Sequence, residues 1–358
     1  MDTALEKSVK SPLALTLASS GARLELYAGV ETAADFGDGN TEFAAITRAC
    51  GIYDLGWRTK IEIKGEDRVR WLNGMVTNNI KDLPLNHGNY NFVLSAQGRI
   101  QGDLYAYNRG DQIILDTERS QVESLLKILN HYIIMDDVEL SDASDKLTAI
   151  GLQGPDATAT LKRIGIEPNC AAPLVLCDLT WNGVSTSITR MMSDQFLTYE
   201  VWLPPQQAGQ LWDALIAANA KPAGTDALEK FRVLAGVPRY GVDIRQRELP
   251  QETGQTQAIN FTKGCYIGQE IVERIRSQGN LHRNFTGFVL DRAVEPGTKI
   301  MLNDKQVGEL TSVAHVPDEV QGEKILGLGY IRREVGGPGT KIIIGDTTAT
   351  LAVLPFKQ

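Results

Sequence analysis

The densest run of chemically capable residues in the chain is Lys263-Gly264-Cys265-Tyr266-Ile267-Gly268-Gln269-Glu270. A cysteine with a glycine just before it and another three residues on leaves room for a ligand to approach the backbone. Lys263 stands two residues before the thiol, and Arg274 and Arg276 follow it. A helix starting near Gly268 would add its N-terminal dipole. Dipole and cations together favour the thiolate, which is the form that attacks electrophiles and binds metals. Free cysteine is more often a small buried residue, but the polar surroundings here predict a partly exposed one. Glu270 and Arg274 are four apart and also read as an ordinary surface pair, worth about 0.2–0.5 kcal/mol; Glu273 reads as surface. From Arg239 to Arg283 there are seven cationic and five acidic residues, in a chain of net charge -8. That local surplus suits a small anionic ligand better than a duplex.

Other constellations are missing. Cys50, Cys170 and Cys177 are scattered, no two cysteines form a CxxC pair, and histidine occurs only at positions 87, 131, 282 and 315. A disulfide scaffold or zinc finger is not indicated, no permanent metal is expected, and a reducing, cytoplasmic setting fits best. Cys170 and Cys177 read as structural. No dinucleotide fingerprint, P-loop or GxSxG elbow occurs. Asp136-Asp137 are adjacent, point apart in regular structure and read as a strand edge. Gly327-Leu328-Gly329 reads as a turn or a close-packing site. The 358 residues are 42% hydrophobic and 22% charged, an ordinary globular composition that excludes a mainly disordered chain. The acidic balance argues against direct nucleic-acid binding. No run of 18 apolar residues is present, so no membrane span is expected. Lys7, Lys10 and apolar 12–18 resemble a weak signal peptide. The apolar stretch is short and acids precede it, so the segment reads as the lead into the first folded element.

Apolar periodicity predicts helices over 41–51, 66–75, 121–132, 156–164, 204–216 and 225–236. Gly51 suits the first helix's stop. Leu125, Leu126, Leu129 and Tyr132 face inward in the third. Strands are predicted at 59–63, 112–116, 147–152 and 196–203. Hairpins are predicted across Ser95-Ala96-Gln97-Gly98 and across Asn182-Gly183. A short helix is predicted over 270–276. Beyond Arg283, six short strands separated by Gly, Pro, Asn and Asp turns predict a small all-β barrel. The region before it mixes helices and hairpins without a βαβ rhythm, so the fold class is α+β. The domain reading is an α+β region over 1–284 with a C-terminal barrel over 285–358. The α+β region is made of two interleaved subdomains (about 1–55 with 145–240, and 56–144) and a loop over 241–284.

Lys263 to Glu270 matches the signature K-G-C-[FY]-x-G-Q-E, and with Ile271-Val272-Glu273-Arg274, Gly279-Asn280 and His282-Arg283 the segment resembles the YgfZ family. Gly241-Val242-Asp243 and Leu249-Pro250-Gln251-Glu252 fit that family's approach to the signature. Gly51-Ile52-Tyr53-Asp54-Leu55, Leu72-Asn73-Gly74-Met75-Val76-Thr77-Asn78, Gln153-Gly154-Pro155 and Thr198-Tyr199-Glu200-Val201 are similar to segments of the wider superfamily of the glycine-cleavage aminomethyltransferase, the T-protein.

The resemblance implies a three-domain clover-leaf around a channel that holds folate in the superfamily. It also implies a tetrahydrofolate-dependent role in iron–sulfur cluster assembly or maintenance, supporting enzymes such as tRNA-thiolating ones. The partners implied are folate and iron–sulfur assembly proteins or client enzymes. Where the T-protein has paired acids, this chain has Gly102-Asp103, so the T-protein's aminomethyl transfer is not expected. Under the resemblance the functional signature is Cys265 with Lys263, expected to hold the thiolate, and Tyr266. The folate-binding candidates are Asp103, Arg245, Arg247, Gln269, Glu270, Arg274 and Arg283, the arginines for the ligand's carboxylates. Cys265 is a possible transient iron or cluster ligand, although one thiolate cannot hold a cluster alone. Two alternatives stand beside this role: a folate-dependent one-carbon transferase using Asp103, and a non-catalytic folate-binding scaffold.

Overall fold

A computed structural model describes residues 9–170, 172–193, 196–279, 281–302, 305–320 and 322–357. The chain divides into two compact units, each assembled from separated stretches of sequence.

The first unit comprises Met1–Leu72, Ile80–Asn89 and Leu104–Leu228. Its six-stranded sheet runs Leu176–Trp181, Val184–Arg190, Thr198–Leu203, Thr148–Gln153, Gly51–Asp54 and Lys221–Pro222, antiparallel except for the last pair. The two middle strands are buried along their whole length. Ile150, Leu152 and Val201 pack with Leu161, Leu211 and Trp212 of the helices Ala157–Arg163 and Ala208–Ala217. The apolar stretch after Ser11 becomes the helix Ala14–Ser19, which puts Leu13 and Leu17 in this same core. A second sheet orders Gly88–Leu94, Ile100–Asn108, Ile113–Glu118, Arg58–Lys64 and Glu139–Asp142. Residues 90–103, the turn-proximal part of its first hairpin, belong to the second unit.

The first unit corrects three local expectations. The first predicted helix is Gly39–Arg48, and Gly51 does not stop it but opens a strand. A Cβ there would sit 2.3 Å from the Ile46 side chain, so close packing requires this glycine. In the helix Val122–His131, Val122 takes the inward place expected of Tyr132, which is exposed. Asp136 and Asp137 lie in the loop before the strand Glu139–Asp142 rather than on a strand edge; Asp136 pairs with Arg70, and Asp137 accepts from the Glu66 N–H. The Asn182-Gly183 turn forms as read, with both residues at positive φ (49° and 81°).

The second unit comprises Asn73–Asn79, Tyr90–Asp103 and Glu229–Gln358. Its barrel closes in the order Arg283–Leu290, Gly322–Arg332, Lys305–Asp318, Lys299–Leu302, Lys341–Ile344 and Thr347–Ala352. Phe288, Ile300, Leu310, Ile344 and Leu351 fill its core. Gly329 serves close packing, since a Cβ there would meet Glu309 O at 2.3 Å. The ladder slips between Leu310 and Ser312, leaving Thr311 as an extra residue. That bulge aims two neighbouring hydroxyls, Thr311 Oγ1 and Ser312 Oγ, at the fully buried carboxylate of Asp243. Arg232 Nη1 (2.6 Å) and the Arg239 N–H (3.0 Å) complete the shell of Asp243. Among the described residues no helix is long and apolar enough to cross a membrane.

Candidate functional site

The signature segment belongs to the second unit and is fixed by main-chain chemistry. Asn260 Oδ1 accepts from the N–H groups of Thr262 and Lys263, both at 2.9 Å, making the side-chain turn for which Asn is suited. Lys263 then turns inward. Its Nζ donates to the carbonyl oxygens of Asn73 (2.7 Å), Val76 (2.7 Å) and Asn78 (2.5 Å), where the helix Arg68–Met75 ends. Carbonyls at a helix C-terminus lack intrahelical donors and carry partial negative charge, so an ammonium suits them. Burial pulls Lys263 down to about 7. The three carbonyl dipoles resist that pull, because only the charged form has three protons to give. Ile267 N–H adds a bond to Gly74 O at 3.1 Å.

The helix Gln269–Gln278 follows, with Gly268 as its N-cap at φ 80°. A Cβ on Gly268 would meet Ser95 O at 2.6 Å, and one on Gly98 would meet Ile271 Cβ at 2.8 Å. The hairpin glycine and the signature glycine therefore interlock, backbone against backbone. Gly264, in contrast, faces open space.

Between these anchors stands Cys265, exposed to solvent. The expectation that Lys263 would hold its thiolate is not met, because all three ammonium protons are committed to carbonyls. Tyr266 is buried, its ring lies 5.0 Å from Lys263 Nζ, and burial pushes its phenol up to about 12. The Tyr266 hydroxyl has no hydrogen-bond partner among the described residues. The signature thus presents one accessible nucleophile on a fixed backbone. Native-state alkylation of Cys265 is expected to be about tenfold faster or more than that of Cys50, Cys170 or Cys177. Cys50 is buried, and burial plus a hydrogen bond to Cys177 pushes Cys170 up to about 12. Mass-spectrometric rates checked residue by residue give the comparison, and equal rates would remove the distinction.

The other candidates divide into two groups. Arg245 Nη1 (2.7 Å) and Arg247 Nη2 (2.5 Å) grip the two oxygens of Glu309, and both arginines also pair with buried Glu248. Arg283 makes a two-point contact with Glu252 at 3.0 and 2.9 Å, and its guanidinium lies 4.9 Å from the Tyr330 ring centre. These three arginines fasten the 245–252 segment to the barrel and its first strand. Glu270 and Arg274 form the expected surface pair, at 2.7 Å. Gln269 opens the helix, half-buried. Asp103 accepts from the Tyr90 hydroxyl at 2.6 Å, and Tyr240 donates to Gln101 O on the same strand at 2.6 Å. Sequence reasoning missed Asn260 and missed that Gly98 and the carbonyls of Asn73, Val76 and Asn78 meet the signature. A turn-forming Asn three residues before Lys263 is a signal that could have found the first of these.

The chain belongs to the family described as the GCVT N-terminal domain, whose model matches residues 13–263. Its fold is that of the aminomethyltransferase T-protein. The crystal structure of glycine cleavage system aminomethyltransferase T from Bartonella henselae matches with a TM-score of 0.89 at 20% identity, over 98% of each chain. Among curated relatives, an aminomethyltransferase of Halothermothrix orenii is 28% identical over 97% of this chain and 99% of its own length. A putative chloroplastic transferase of Arabidopsis thaliana is 25% identical over 95% of this chain and 78% of its own.

Proposed function

We propose that this is a tetrahydrofolate-binding protein of the YgfZ type within the GCVT family. It acts in iron–sulfur cluster assembly or maintenance, with Cys265 as its working thiol. The observation that carries this reading is the contrast within the signature: Lys263 and Gly268 are consumed in anchoring, Tyr266 is buried, and Cys265 is exposed as an accessible nucleophile. Gly102 supports it too. It stands where the T-protein has its first paired acid, and a glycine cannot orient or protonate an amine. Any iron or cluster handled here is substrate, shared with a partner chain or a small thiol.

Folate fits the residues present in kind. Arg245 Nε, Gln251 Oε1 and the hydroxyls of Tyr266 and Tyr330 are buried without a partner among the described residues. A pterin edge carries both donors and acceptors for such atoms. Asp103, Gln269 and Tyr266 are the residues that would hold it. Arg274 is the arginine that costs least to redirect to a glutamate carboxylate, because its partner Glu270 is exposed. Arg245, Arg247 and Arg283 would each have to leave a buried carboxylate. When bound, the group supplies a reduced pterin and a one-carbon unit.

The test is complementation of a bacterium lacking its YgfZ-like factor, read by the product of an iron–sulfur tRNA-thiolating enzyme. Wild type is expected to rescue and Cys265→Ala to fail at equal expression, with stability unchanged to within about 0.5 kcal/mol, as for other exposed sites. Rescue by both would leave the role without its thiol and favour a scaffold. No rescue by folded wild type would overturn the reading. The relatives named aminomethyltransferase favour a second reading, one-carbon transfer with Asp103 as the acid. Turnover abolished by Asp103→Asn is its signature.

A further inference from the structure

The first unit holds a cavity of about 350 Å³ whose wall includes Lys10, Arg58, Thr59, Arg119, Ser144 and Asp145. Its lining carries three cations against one carboxylate, in a chain of net charge -8. Such a local excess inside a concave surface concentrates anions.

The cations are not used up by the fold. The Arg119 N–H bonds Trp57 O at 2.8 Å, which fixes the residue, while its guanidinium makes no hydrogen bond or ion pair to a described residue. Arg58 is held rigidly. Its Nε and Nη2 grip the fully buried Asp116 at 3.0 and 2.7 Å, and Nη1 has no described partner. A guanidinium fixed by one carboxylate with donors to spare is pre-organised for a second oxyanion. Among the described residues Lys10 pairs with Glu31, at 3.4 Å and partly exposed, a contact that a ligand can displace. The hydroxyls of Thr59 and Ser144 bond each other at the same wall and offer further hydrogen bonds. The volume lies at the small end of the range for ligand pockets, about 300–1,000 Å³, so it suits one small molecule and not a polymer.

We propose that this cavity is a binding site for a small, multiply charged oxyanion, gripped by Arg119, the free edge of Arg58 and Lys10. A phosphate group and a cluster of carboxylates share the required chemistry. The site lies wholly within the first unit, whereas the signature segment belongs to the second, and the proposal does not depend on the function proposed for that segment.

The test is titration calorimetry on the full chain with two probes, pyrophosphate and citrate, at fixed ionic strength. Saturable binding of either probe, weakened about tenfold or more by Arg119→Gln and several-fold by Lys10→Gln, is the expected result. Pyrophosphate binding alone assigns phosphate chemistry, and citrate alone assigns carboxylate chemistry. Both substitutions leave the Arg58–Asp116 pair intact, and circular dichroism verifies folding. If neither probe binds at about 10 mM, or if both variants bind as wild type does, the proposal falls.

Discussion

Asp116→Asn is expected to lower the stability of the first unit by about 3–5 kcal/mol, the cost of breaking one side of a buried ion network. Asp116 and Lys60 are both 0% exposed and meet at 2.7 Å, and Arg58 closes on the same carboxylate. Lys60 also lies 4.1 Å from the Trp202 ring centre, with no route to water. Neutralising Asp116 leaves Arg58 and Lys60 beside Glu200 without the carboxylate that both grip. Urea unfolding followed by Trp fluorescence measures the loss; a change below about 1 kcal/mol would mean that the network is dispensable.

The same network predicts an acid dependence. Burial alone would push Asp116 up, but the charges of Arg58 and Lys60 outweigh it and hold the carboxyl below its usual range. A depressed carboxyl stabilises the fold above its unfolded value, about 3.9, and that contribution is lost as pH falls through the folded value. Glu200 acts in the opposite sense. Burial, and then Asp116, raises it, so its contribution is present below its unfolded value and lost as pH rises through the folded one. Asp116→Asn is therefore expected to flatten the stability loss below about pH 4 and, because it removes one of the charges that raise Glu200 and leaves Arg58 and Lys60 to act on that carboxyl, to weaken the Glu200 slope as well.

Lys263→Met is expected to release the signature segment at a cost of about 2–4 kcal/mol. The bond to Val76 O is buried and its loss strands an acceptor, while water can reach the other two carbonyls. Hydrogen exchange is the measurement. Amides of 260–270 are expected to lose protection in the variant while the barrel strands keep theirs. Lys263→Arg is expected to recover only part, because a planar guanidinium cannot aim three protons at acceptors grouped around one point. Unchanged protection in Lys263→Met would show that Asn260 and Gly268 suffice.

Sequence reading succeeded where the determinant is local. The barrel strands are punctuated by turn residues, and Asn182-Gly183 and Ser95 to Gly98 carry their turn geometry within four residues. The short helix expected over 270–276 is likewise present, within Gln269–Gln278. Reading failed where the partner is distant or is main chain. Lys263 looked like a cation for the neighbouring thiol because its carbonyl acceptors have no side-chain identity to read. Gly268 looked like room for a ligand, whereas Ser95 O and Gly98 fill that room. Arg245, Arg247 and Arg283 looked available to a ligand because the sequence cannot show that Glu309, Glu248 and Glu252 already meet them. Asp136 and Asp137 were mistaken for a strand edge because the loop that uses them is organised by Arg70 and the Glu66 amide.

The anchor of Lys263 also has a consequence for birth on the ribosome. Its three bonds join residues 185, 187 and 190 positions apart. At synthesis rates of about 5–20 residues per second, the carbonyls of Asn73, Val76 and Asn78 wait roughly 10–40 s for their lysine to be made. For most of that interval, until Glu229 is reached, the 73–79 stretch and then the 90–103 hairpin are made without the rest of their unit. The second unit thus assembles late, from pieces made early, and a nascent chain stalled before Lys263 carries an orphaned half-site for chaperones to shield.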